Sequence, residues 1–167
     1  LIDEEIHHHK KHGNGRIVAK MNSLTEKDII LRLYKASRAG VKIELIVRGV
    51  CCLRPGIPDV SENIRVISIV DRYLEHSRIF YFHHNGQDLM YGSSADWMTR
   101  NMRKRIEILF PIMDEEHKEY LKDCLALALA DNVKSREQAA DGSYHYVKDG
   151  KQSCESQLLI QDYTSGK

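Results

Sequence analysis

Between Arg16 and Arg48 a strand, a helix and a second strand follow one another with almost no slack, and this order limits the fold more than any other feature. Residues 16–21, RIVAKM, are short and mostly apolar and read as a strand. Thr25 followed by Asp28 resembles a helix N-terminal capping arrangement. Ile29, Ile30, Leu33, Tyr34 and Ala36 then form a helical apolar face that stops at Gly40. Val41 to Val47, VKIELIV, is β-branched and reads as the next strand. Such a unit is a right-handed parallel crossover, so both strands end on one edge of a sheet, the edge where open α/β sheets hold ligands. Asn22 lies just past the first strand and Arg48 at the tip of the second. The expected class is therefore α/β, a mixed sheet flanked by helices, with Leu1 to about His12 forming an additional helix stopped by Gly13.

The length of 167 residues fits one domain over 1–167. No apolar run approaches the roughly 20 residues a membrane-spanning helix needs. A net charge of +1 argues against bulk coating of nucleic acid, so an anion site must come from local placement of cations. The four cysteines (Cys51, Cys52, Cys124, Cys154) match neither a zinc spacing nor a secreted disulfide framework and read as reduced and cytoplasmic, with Cys51-Cys52 as packing residues. A start at Leu1 with no signal-peptide pattern reads as a piece of a longer protein.

The second informative region is a hairpin. Asn85-Gly86 is the favoured dipeptide of a two-residue reversal and lies between IFYFHH and QDLMYG. With that turn, paired residues have numbers summing to 171: Phe82 faces Leu89, Arg78 faces Ser93 and His76 faces Ala95. His76 and Arg78, on alternate strand positions, then point to one face. There they meet Ser93, Ser94 and Asp96, a grouping suited to an anion such as phosphate. Against this stands the ordinary reading of a half-buried hydrogen-bonded pair, and for Arg48 that of a surface charge.

Downstream, Arg105 to Pro111 reads as a strand and Asp114 to about Ala130 as a helix with acidic residues in its first turn. Arg100, Arg103 and Lys104 read as a solvated basic turn, and Trp97 and Tyr91 as core. His7, His8, His9 and His12 contain one i,i+4 pair, but no carboxylate or cysteine is read as completing a metal shell with it. The polar tail, about 132–167, carries a turn signal at Asp149-Gly150 and reads as a final strand pair or a loosely attached segment.

Four strings are long enough to identify relatives: KMNSL (Lys20–Leu24), GVKIELIVRGVCCLRPG (Gly40–Gly56), SENIRVISIVDRYLEHSRIFYF (Ser61–Phe82) and SSADWMTRN (Ser93–Asn101). Together they resemble the C-terminal part of bacterial polyphosphate kinases over nearly the whole chain. The resemblance implies the second of two phospholipase D-like domains. His76-x-Arg78 is similar to the His-x-Lys of that superfamily, and GSSAD stands for its Gly-Ser-x-Asn. Arg78 replaces the lysine, and His83 occupies the position of the motif's aspartate, which speaks against phosphodiester hydrolysis.

What the resemblance implies about activity is reversible transfer of the terminal phosphoryl group of ATP to polyphosphate. A phosphohistidine intermediate forms on an upstream domain absent from this chain. By the same resemblance His76 is catalytic, giving a proton to the leaving ADP oxygen or stabilising it. The resemblance assigns ATP or phosphate binding to Arg48, His76 and Arg105, and the hairpin and sheet-edge reading adds Arg78 to them, with Asn22, Ser94 and Asp96 in support. Mg2+ accompanies ATP, with no ligands expected from this domain. The implied partners are ATP and ADP, inorganic polyphosphate, upstream domains of the same enzyme and, for the full-length protein, further copies of itself, with no nucleic acid. The implied location is cytoplasmic, with peripheral membrane association left open. The isolated fragment is expected to be inactive. The alternatives are a phospholipase D-like phosphodiesterase and a non-catalytic polyanion-binding module.

Overall fold

Strand β1 (Arg16–Met21) pairs in parallel with β2 (Lys42–Val47) after the crossover helix α2 (Lys27–Arg38), with Met21 opposite Val47. The computed structural model describes residues 1–165. The remaining strands are β3 (Ile64–Ile69), β4 (Ile79–Phe82), β5 (Leu89–Ser93), β6 (Leu109–Pro111), β7 (Ser135–Gln138) and β8 (Tyr144–Tyr146). With α1 (Ile2–His12), α3 (Thr99–Lys104), α4 (Glu115–Ala130) and α5 (Ser156–Ser165), they complete one mixed sheet of order β6-β5-β4-β1-β2-β3-β7-β8 among the described residues.

Strand β1 is apolar at nearly every position because both of its faces are covered. Ile17, Ala19 and Met21 pack with Ile6 of α1 and with Ile30, Leu33 and Ala36 of α2. Val18 faces the other way, toward Tyr81, Met90, and Leu125 and Ala128 of α4.

The topology brings several chain segments to one edge. β1, β2 and β3 run in parallel and leave the sheet together. β4 is antiparallel to β1, with Lys20 opposite Ile79, so the chain enters β4 at this edge; β5, antiparallel to β4, leaves there. The segment after β1 is stitched between its neighbours: the Leu24 amide donates to the Val50 carbonyl at 2.8 Å, and the Thr25 and Glu26 amides both donate to the Trp97 carbonyl at 2.9 Å.

Several sequence expectations are corrected. The register sum of 171 holds, with Phe82 opposite Leu89 and Ile79 opposite Gly92. The reversal, however, is a longer loop over 83–88 containing a 3-10 turn at His84–Gly86, with positive φ at His84, Asn85, Gly86 and Asp88. The fully buried Glu5 of α1 explains it: its two carboxylate oxygens accept from the amides of Arg16 and His84, each at 2.9 Å, drawing the loop down onto α1. Helix α2 starts after Glu26 with no side-chain cap, and the Glu26 carboxylate accepts from Arg103 instead.

Arg105 does not begin a strand; it closes α3, a short helix where a basic turn was expected, and pairing to β5 starts only at Leu109. In the tail the hairpin turns at Ala139–Ser143 rather than at Asp149-Gly150, and residues 156–165 are helical. β7 pairs with β3, so this part of the tail belongs to the sheet. The four cysteines are free, and Cys52 is exposed rather than packed.

Candidate active site

At the shared edge, hydrogen bonds join the side chains that the sequence singled out. Arg48, one residue past β2, donates from Nη2 at 2.9 Å and Nε at 3.2 Å to Oδ1 of Asn22, one residue past β1. The Asn22 amide donates to Asp96 Oδ1 at 2.7 Å, and its Nδ2 donates to the same oxygen at 3.2 Å. Asp96 also accepts from Arg78, from Nε at 3.2 Å and from Nη2 at 3.1 Å. The Arg78 guanidinium lies along the imidazole of His76, with Nη2 3.2 Å from Nε2 and Nη1 3.4 Å from Nδ1. One network therefore runs Arg48–Asn22–Asp96–Arg78–His76.

The members differ in exposure. His76 is exposed, Arg48 half-buried, and the Asp96 and Arg78 side chains retain only 9% and 14% exposure. Arg78, expected to bind phosphate, is bonded to Asp96, and Arg48 and His76 form the two ends of the network. His76 is also not on a strand. β4 begins at Ile79, and the residue of β1's chain that would lie opposite His76 is Ser23, in a segment that turns away to bond residues near Val50 and Trp97.

Burial by itself would raise the Asp96 carboxyl, but the hydrogen bonds and charge of Arg78, with the Asn22 amide, outweigh it and hold the group below its ordinary 3.8. A depressed native pKa gives stability that is complete above the unfolded value and lost as pH falls through the native one. The stability difference between the wild type and Asp96→Asn is therefore expected to stay constant above pH 3.8 and to shrink below it, as read by urea unfolding at a series of pH values.

Sequence reasoning missed Glu107. Ser94 Oγ and Asn101 Nδ2 both donate to its carboxylate and lower its pKa, with smaller contributions from the charges of Arg105 and Arg78. Ser94 thus faces Glu107 rather than His76, and its Oγ also accepts from the Ile108 amide at 3.0 Å. Arg105 is exposed and lines an apolar cavity with Phe80, Trp97 and Ile108, and its charge, like that of Arg78, acts on Glu107. Trp97 is a core residue stacked on Phe80, with ring centroids 4.8 Å apart. His83 lies at the far end of β4 beside Asp88, away from His76.

Among the described residues, no group of three or more His, Cys, Asp or Glu side chains is arranged to hold a metal ion. Asp96 and Glu107 each have both oxygens occupied by protein donors and so do not fit an Mg2+ site.

The eight-stranded mixed sheet, with a His-x-Arg ahead of one strand and a Ser-Ser-Ala-Asp turn beside it, has a phospholipase D-like fold. The fold is shared with the phospholipase D family member Nuc of Salmonella typhimurium, at TM-score 0.57 and 12% identity over 81% of this chain and 88% of that one. The chain belongs to the family described as polyphosphate kinase C-terminal domain 2, which matches residues 1–157. It is 81% identical over its whole length to the polyphosphate kinase of Exiguobacterium sibiricum. It superposes on the crystal structure of polyphosphate kinase from Porphyromonas gingivalis at TM-score 0.95 and 42% identity, over 99% of this chain and 26% of that one. The chain spans about a quarter of the length of these relatives, 23% of the first.

Proposed function

We propose that this chain is the C-terminal domain of a polyphosphate kinase and supplies Arg48 and His76 to the reversible transfer of the terminal phosphoryl group of ATP to a growing polyphosphate. The observation that carries the reading is the network that ties a half-buried guanidinium and an exposed imidazole, through Asn22 and Arg78, to the one carboxylate of Asp96 at the shared sheet edge. Phosphoryl transfer asks a protein chiefly for positioning and for compensation of charge on the transferring group. Arg48 is held by Asn22 and offers positive charge to phosphate oxygens. His76, packed along Arg78, stabilises the leaving ADP oxygen or gives it a proton. Arg78 and Asp96 hold the imidazole, Arg105 adds charge beside the rim, and the histidine that carries the phosphoryl group comes from an upstream domain.

Mg2+ arrives with the nucleotide, because the carboxylates here are already engaged. The full-length protein acts, on this reading, in the cytoplasm as a homo-oligomer. His83 at the far end of β4 weighs against a phosphodiesterase, which needs the aspartate of the superfamily motif.

The test is ATP-dependent polyphosphate synthesis by the full-length protein, with Arg48→Lys as the probe. Lysine keeps the charge but loses the two-pronged bond to Asn22, and a net hydrogen bond of about 1 kcal/mol corresponds to a loss of roughly fivefold to tenfold. Unchanged synthesis by Arg48→Lys, or none by the wild type, overturns the reading.

A further inference from the structure

We propose that Lys20 is a positioning residue for His76, acting through the residues on either side of it; the inference rests on the role given to His76 above. His76 belongs to a segment with no sheet pairing of its own, since β4 begins only at Ile79. Its place is therefore set by side chains. The Lys20 ammonium on β1 is 2.8 Å from Glu75 Oε2 and donates to Ser77 Oγ at 2.9 Å, so one cation grips both neighbours of His76. Farther back, Gln157 of α5 brackets Tyr73, accepting from its amide at 2.7 Å and donating to its carbonyl at 2.9 Å. Beyond His76, Asp96 holds Arg78.

Lys20 is an unusual choice for this position if stability alone were served. Its side chain is only 12% exposed and borders a cavity of about 630 Å3 shared with Ile79, Leu125 and Gln157. A buried ammonium costs free energy unless it is paired, and an apolar residue of similar length fills such a site at no electrostatic cost. What the lysine adds is a fixed geometry for residues 75 to 77, and a catalytic group displaced by about 1 Å can lose on the order of 100-fold in rate.

The experiment uses the full-length protein. Lys20→Met, which keeps the stem and removes the charge, is expected to lower kcat for polyphosphate synthesis roughly tenfold or more, with KM for ATP within about twofold. In a His76→Ala background the same change is expected to have no further effect, because the group it positions is gone. Glu75→Ala combined with Ser77→Ala, which removes both acceptors while leaving the lysine, is expected to reproduce the kcat loss and serves if Lys20→Met does not fold. Wild-type kcat in that double variant, or an equal loss from Lys20→Met with and without His76, overturns the inference and leaves the reading of His76 intact. Normal synthesis by His76→Ala alone overturns that reading, and this inference with it.

Discussion

His76→Ala in the full-length protein is expected to lower ATP-dependent polyphosphate synthesis by at least about 100-fold, the scale of one lost transition-state contact. The substitution separates chemistry from stability cleanly. The imidazole is exposed on a segment outside the sheet, and its hydrogen-bonding neighbour is the guanidinium of Arg78, two residues on. Its removal leaves no buried polar group unpaired, so thermal unfolding is expected to stay within the small range of ordinary surface substitutions. The measurement is kcat alongside the unfolding midpoint of the same preparation. A folded variant with near-normal synthesis refutes the role given to His76, whereas loss of both folding and activity contradicts the exposure seen here.

The parts of the site that could be read from the chain are those fixed by the sheet. Parallel pairing follows from the strand, helix, strand order, and with it the side-by-side departure of Asn22 and Arg48. The register of β4 with β5 was read from a reversal at residues 85 and 86, and the longer loop over 83–88 is centred on the same point, so the pairing sum is unchanged. It held although the loop itself was misread, since the loop's shape comes from Glu5, a residue remote in sequence.

Contacts of this kind have no local signature. The position of His76 was similarly hidden: two residues spaced as on a strand suggested a strand, but the chain that would pair with it is taken by Val50 and Trp97. Glu107 went unnoticed because its partners Ser94 and Asn101 are reached only after the chain leaves β5 and passes through α3. In the tail, the short apolar run of 156–165 fits a strand or a helix equally well, and packing against α4 decides for the helix.

The largest combined effect is expected at Asp96, which touches no substrate in the proposed scheme. Its carboxylate accepts from the main-chain and side-chain nitrogens of Asn22 and from two nitrogens of Arg78. Asp96→Ala releases at once the residue that holds Arg48 and the residue that lies along His76. With both side chains of the ion pair largely buried, a guanidinium is left without its counter-charge, and the loss of stability is expected to be about 3 kcal/mol, the lower end for breaking such a pair.

Synthesis is expected to fall at least about 100-fold, as for His76→Ala, because the catalytic group loses its place rather than its chemistry. Adding Arg78→Ala distinguishes this account from simple loss of packing. Removing the stranded cation is expected to restore part of the stability lost in Asp96→Ala while leaving activity low. If the double variant is less stable than Asp96→Ala by the full cost of Arg78→Ala alone, the two residues act independently and the network is not the unit that organises the rim.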